Sequence, residues 1–325
     1  MTSSRAPHLS GPAADGAKVT SSSTRTRSRR RGALAALLVA ATAALGIPAA
    51  SVSAAPAAPV AAAPAAARIT AIPSTCSAGV TIVRPDRSLA VGLVRGTRAE
   101  IVPTGVTLAY TPRTIAYVGT SASPGLTIDR YFAIDAAGVL HRVAVADRPA
   151  NTPRTTLTDT PLAAGWGGIR TLVASGPYLY GITTAGGLKR YSVSRDYTVR
   201  GAGTLATRGW GGVRSLSFGG WWNAGGSRRV EDIVGLATNG SVAAYMVPRN
   251  APLTIRTYRL ATGGWGMFSH VAVGECSSSS ARPILGVKPN GDVHVYYDVN
   301  GNDQSWRDLR IGPRVARGWT GLVAD

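Results

Sequence analysis

From about Thr81 to the C-terminus, apolar and polar residues alternate in short runs, each broken by a turn that contains glycine. The runs come in matching pairs. Leu179-Tyr180-Gly181-Ile182 leads through Thr183-Thr184-Ala185-Gly186 to Leu188, and Ile233-Val234-Gly235-Leu236 leads through Thr238-Asn239-Gly240 to Val242. Ile284-Leu285-Gly286-Val287 with Asn290-Gly291, and Tyr131-Phe132-Ala133-Ile134 with Gly138, repeat the layout. A period of two predicts strands with one buried face, and turns of the Asn-Gly kind predict that consecutive strands close as hairpins.

A second landmark stands before each pair. Gly165-Trp166-Gly167-Gly168-Ile169, Gly209-Trp210-Gly211-Gly212-Val213 and Gly264-Trp265-Gly266 align, and a fourth copy starts at Gly318-Trp319 and stops at the C-terminus. From the hairpin glycines at 138, 186, 240 and 291 to the next tryptophan the distances are 28, 24, 25 and 28 residues. One unit lacks its tryptophan, and counting back 14 residues from Phe132 puts Val118 in its place. A further hairpin at Thr81–Leu89 has no Trp strand before it, while Trp319–Asp325 has no hairpin after it. Joining these two fragments gives five units: 319–325 with 77–117, then 118–164, 166–208, 210–263 and 265–317. Repeats of this length, closed on themselves, predict an all-β, five-bladed β-propeller with no free sheet edge at the seam.

Gly-Trp before an apolar strand, then Leu/Ile-Tyr-Gly-Ile, an x-Gly turn and Leu-x-x-Tyr resembles the repeat of tachylectin-2-type β-propellers, which are sugar-binding lectins. The resemblance spans about 77–325 and is closest in the units at 166, 210 and 265. It implies N-acetylated hexosamines bound in shallow pockets between blades, with the segment before each Gly-Trp taking part. That segment matches best at Asp303-Gln304-Ser305-Trp306, with Asn302 beside it, and partly at Asp196-Tyr197.

The N-terminal fifth of the chain follows other rules. Residues 1–32 end in Arg25, Arg27, Arg29, Arg30 and Arg31, an apolar run covers Ala33 to Ile47, and small residues follow at Ser51-Val52-Ser53-Ala54-Ala55. That succession predicts an export signal over 1–54, cleaved after Ala54 or Ala55, rather than a membrane anchor, which needs about 20 apolar residues. The Sec route is expected; a twin arginine leaves the twin-arginine route open. Residues 55–75 are an Ala/Pro-rich linker, and the propeller occupies 76–325.

Charge and composition narrow the chemistry. The chain holds 35 Lys+Arg against 16 Asp+Glu, and only Lys18, Lys189 and Lys288 are lysines. Loss of the leader removes seven basic residues and one acidic residue and leaves about +13. Arginine is spread over all units, so attraction to an acidic cell envelope is expected and specific nucleic-acid binding is not. His141 and His294 share a repeat position and are read as strand-surface residues. Acids fall mostly at turns, such as Asp86, Asp147, Asp196 and Asp292, away from the channel ends of strands. With no catalytic motif, no catalytic residue, cofactor or metal is expected.

The repeated Trp166, Trp210, Trp265 and Trp319 are read first as core wedges between blades. Trp221-Trp222-Asn223 lies in a length-variable insertion, where no repeat demands an aromatic, and is a candidate contact surface. The expected ligand set is therefore Trp306, Asp303, Asn302, Trp221, Trp222, Asn223, Asp196 and Tyr197. The expected partner is a glycan or cell-wall polysaccharide, bound by a monomer. A cell-envelope scaffold without sugar affinity is the alternative, and a propeller hydrolase a third. Cys76 and Cys276, the only cysteines, occupy corresponding places in neighbouring blades of the closed ring, which predicts a disulfide across the seam.

Overall fold

The computed structural model describes residues 67–96, 98–148, 154–223, 229–249, 251, 253–277 and 279–324; at 154, 202, 222 and 223 only the backbone is described. The expected export signal and most of the expected linker lie outside these residues. The described residues contain no helix and form five antiparallel sheets around a ring.

Blade I holds β1 (Cys76–Val83), β2 (Ser88–Arg95) and β3 (Arg98–Thr107). Blade II holds β4 (Thr114–Ser123), β5 (Leu126–Ile134), β6 (Leu140–Arg148) and β7 (Arg154–Ala163). Blade III comprises β8 (Ile169–Ser175), β9 (Tyr178–Thr183), β10 (Leu188–Val193) and β11 (Val199–Ala206). Blade IV comprises β12 (Val213–Asn223), β13 (Arg229–Ala237), β14 (Val242–Pro248) and β15 (Arg256–Ala261). Blade V contains β16 (His270–Val273), with its two-residue continuation β17 (Glu275–Cys276), then β18 (Arg282–Val287), β19 (Val293–Asp298) and β20 (Arg310–Ala316).

The ring closes as the repeat arithmetic requires. The C-terminal strand β21 (Leu322–Ala324) pairs with Thr81–Val83 of β1, and β17 pairs with Cys76 and Ser77 at the other end of the same strand. The inner edge of blade I is thus shared by two short strands. Cys76 and Cys276 stand opposite each other in that pairing and form a disulfide. Five apolar clusters make the core, one at each junction between neighbouring blades, the V–I junction included. Ile72 is buried in that last cluster, the Ile69 N–H donates to the Ile311 carbonyl and the Ile311 N–H to the Ala67 carbonyl, so residues 67–75 pack with the propeller.

The constant glycine-to-tryptophan spacing is a hydrogen bond. Trp166, Trp210, Trp265 and Trp319 each donate the backbone N–H to the carbonyl of the preceding blade's hairpin glycine, at 138, 186, 240 and 291. These glycines have φ near +80°, and a Cβ on Gly138 would stand 2.6 Å from the Gly167 nitrogen, so both conformation and space call for glycine. In blade I, Arg87 fills the role, with φ of 68°, and it receives Leu108. Leu108, not Val118, therefore takes the tryptophan position of blade II, which begins at Thr114 and not at 118. The offset arises because the β4–β5 hairpin runs to Ser123 before turning, whereas β8–β9 turns at Gly176; counting back along a longer hairpin lands inside a strand.

Buried ions also join the blades. Glu231 of β13 accepts hydrogen bonds from Tyr180 and Ser175 of blade III and faces Arg190 at 3.5 Å. Arg282 of β18 donates to Asp298 of its own blade at 2.9 Å and to Asp232 of blade IV at 2.6 Å.

Candidate functional site

Each Gly-Trp segment carries the chain from the outer strand of one blade to the inner strand of the next. In blades III, IV and V the indole lies against a tyrosine on the third strand: Trp166 on Tyr191 at 4.4 Å, Trp210 on Tyr245 at 4.2 Å and Trp265 on Tyr296 at 4.4 Å. Three of these residues open the sequence unit and three are the Tyr of Leu-x-x-Tyr (Leu188) or its Val-x-x-Tyr variant (Val242, Val293), so the repeat motif is a recurring aromatic pair. Trp210 and Trp265 are each 6% exposed and Trp319 is buried; Trp166 alone of the four is partly exposed.

Trp265 is covered by Trp306 and Phe268 and Trp210 packs with Phe218 and Ile255, and the outer strand beside each pair differs as well. Opposite Tyr245 stands Thr257, and opposite Tyr296 stands Ile311, but opposite Tyr191 stands Gly201. Nothing lies within 4 Å of where a Cβ on Gly201 would be. The missing side chain leaves a shallow pocket of about 540 Å³ beside the Trp166–Tyr191 pair, edged by Thr183, Thr184 and Lys189. Thr183 Oγ1 accepts the Gly187 N–H at 2.8 Å and keeps its own proton free to donate. Burial raises the Tyr191 phenol above its ordinary pKa, so it stays a hydroxyl. An aromatic floor with hydroxyl and ammonium groups at the edge suits a ligand with one apolar face and several hydroxyls.

A second cavity, of about 570 Å³, lies on the ring axis and draws its walls from all five blades. Asp129 of β5 and Glu275 of β17 both line it, so the expectation that acids avoid the channel ends of strands does not hold. Those two residues carry no repeat signature, and only the ring brings them to one place.

The expected ligand residues are dispersed. Trp306 is 7% exposed and its ring packs on Trp265 at 4.7 Å, inside the cluster between blades IV and V, so the ring face expected to stack on sugar is covered. Asp303 and Asn302 are exposed on the turn after β19, where Asp303 accepts the Ser305 N–H at 2.8 Å. Carboxylate oxygens of Asp298, Asp303 and Asp308 lie within 4.8 Å of one another, the one group among the described residues with the donor set of a hard cation. Asp196 spends its carboxylate on its own turn, accepting from Ser194 and Thr198, and these bonds lower its pKa to about 2. Tyr197 has φ of 63° and lies under the Arg130 guanidinium at 4.7 Å, fastening blade III to blade II.

The Trp221 insertion is a continuation of the β12–β13 hairpin, with Trp221 paired to Glu231 and Trp222 to Val230. Trp221 is 41% exposed, edge-on to Phe218 and beneath Arg249 at 5.3 Å. The side chains of Trp222 and Asn223 lie outside the described residues. His141 is held between Asp159 at 2.9 Å and Asp135 at 3.4 Å, with Tyr110 stacked on it. It is tied into blade II rather than standing free on a strand surface.

No protein-family model matches the chain, and no curated protein matches it. The tachylectin-2 likeness thus stays a likeness of repeat layout. Similar solved structures include the SapL1 lectin in complex with alpha methyl fucoside, at 11% identity, TM-score 0.41, over 68% of this chain and 72% of that one. Human WBSCR16 is similar at 9% identity, TM-score 0.27, over 68% and 73%. At this distance neither bears on what this chain binds.

Proposed function

We propose that the chain is a secreted, non-catalytic carbohydrate-binding propeller whose main site is the Trp166–Tyr191 pocket. One observation carries the reading: of the recurring aromatic pairs, this one has a partly exposed tryptophan and a pocket beside it, where the outer strand presents Gly201 and no side chain. A sugar ring lays its C–H face on the indole while its hydroxyls reach Thr183, Thr184 and Lys189. N-acetylated hexosamines are the first ligands to try, from the repeat resemblance. The basic surface adds attraction to anionic cell-wall polymers. The leader supports export, and a disulfide fits an oxidising compartment. Among the described residues no helix is long and apolar enough to cross a membrane.

A sugar of some 15 heavy atoms at about 0.3 kcal/mol each gives a Kd on the order of a millimolar. Retention on a multivalent N-acetylglucosamine resin, eluted by the free sugar, is therefore the assay. Trp166→Ala should abolish retention at permissive temperature, and so should Gly201→Ile, which puts a branched side chain into the open space beside Tyr191, here with the melting temperature held within a few degrees. Full retention by both variants would remove this pocket from the reading.

A further inference from the structure

We infer that the axial cavity is a second binding site, selective for a small organic cation such as a protonated amine. It rests on neither the Trp166 pocket nor the sugar proposed for it. At about 570 Å³ the cavity has the size of small-molecule sites, and it is assembled from every blade of the ring.

Its charge runs against the rest of the protein. The chain carries 35 basic residues to 16 acidic, yet the cavity walls carry Asp129 and Glu275 against Arg95 alone. Glu275 forms no ion pair among the described residues, and neither does Asp129, which accepts the Thr120 hydroxyl. Asp129 is half-buried and Glu275 exposed, and both line the cavity without an ion-pair partner among the described residues.

The aromatic content points to the same ligand. Tyr117, Tyr131 and Phe218 share the lining. Tyr131 is 1% exposed and its hydroxyl has no hydrogen-bond partner, an orphaned polar group in the wall of a cavity. Carboxylates with aromatic faces are the combination that holds a cation bearing an apolar body, through ion pairing and cation–π attraction together. Among the described residues no third metal-ligating side chain joins Asp129 and Glu275.

The probes are benzylamine and its neutral counterpart benzyl alcohol, titrated calorimetrically into the full chain at low ionic strength. Benzylamine should bind one per chain, at least tenfold more tightly than benzyl alcohol. Asp129→Asn with Glu275→Gln should remove most of that preference, while Gly201→Ile leaves it unchanged. Glu275 is exposed, so Glu275→Gln alone carries the test if the double variant loses its fold. Equal affinity for the two probes, no benzylamine binding at millimolar concentration, or an unaltered preference in the Glu275 variant would overturn the inference. Loss of resin retention without any change here would count only against the sugar pocket.

Discussion

Replacing Arg282 by methionine tests how far one buried cation holds two blades together. The guanidinium is 5% exposed and reaches Asp232 Oδ2 at 2.6 Å and Asp298 Oδ2 at 2.9 Å, both carboxylates being buried. Methionine fills most of the volume but strands two acids. Breaking a buried pair by removing one partner costs about 3–5 kcal/mol. A domain of this size loses about 2–4 °C per kcal/mol, so Tm should fall by about 10 °C. The pH dependence separates charge from packing. Burial, partly offset by Arg282, already raises Asp298 to about 6, and burial raises Asp232 as well. A folded pKa above the unfolded one means that the folded chain binds more protons across the window from about pH 4 to 6, so stability falls as pH rises through it. Without Arg282 both pKa values climb further, and the deficit of the variant should be larger at pH 7 than at pH 5. Asp232→Asn with Asp298→Asn, added to Arg282→Met, should recover much of the loss. Tryptophan fluorescence in urea reads all of these. A variant within 1 kcal/mol of wild type at pH 7, or one equally destabilised at both pH values, refutes the account.

Two further outcomes follow from the packing and the seam. Cys76→Ser with Cys276→Ser frees a loop spanning 200 residues, for which chain entropy gives about 5 kcal/mol as an upper guide; urea midpoints with and without reductant measure it, and no difference would show the seam to be held by β21 alone. Trp306→Ala, which removes a buried ring from Trp265, should cost about 3–5 kcal/mol in urea unfolding and leave resin retention intact at permissive temperature.

Much of the architecture was legible because a repeat states it several times over. The hairpin glycines are doubly constrained, by φ and by the backbone that docks on them, so their spacing survives while side chains drift. The disulfide was legible for the same reason, since repeat position places both cysteines at one seam. What was not legible sits where copies differ. Blade II hides its start because its first hairpin is longer. Trp306 was read as a ligand residue because a tryptophan off the repeat frame carries no sign of what it packs against. Gly201 carries no sequence signal because the outer strands share no motif, and its meaning depends on the cross-strand neighbour, Tyr191. Asp129 and Glu275 lie far apart in the chain, and only ring closure makes them neighbours of one space.

The open pocket has an implication for how such a ring acquires its valency. On the proposed reading, the aromatic pair present in three blades is a recurring platform for ligand, and the outer-strand residue opposite its tyrosine is one point at which it can be opened. In blade IV the residue opposite Tyr245 is Thr257, which is exposed. Thr257→Gly should then open a second pair for ligand without touching a core residue, read as tighter retention on the multivalent resin. Avidity multiplies steeply with each added site. If the proposed site holds, adhesion in such a ring is tuned by point changes on its most exposed strands, apart from the buried contacts that hold the blades together.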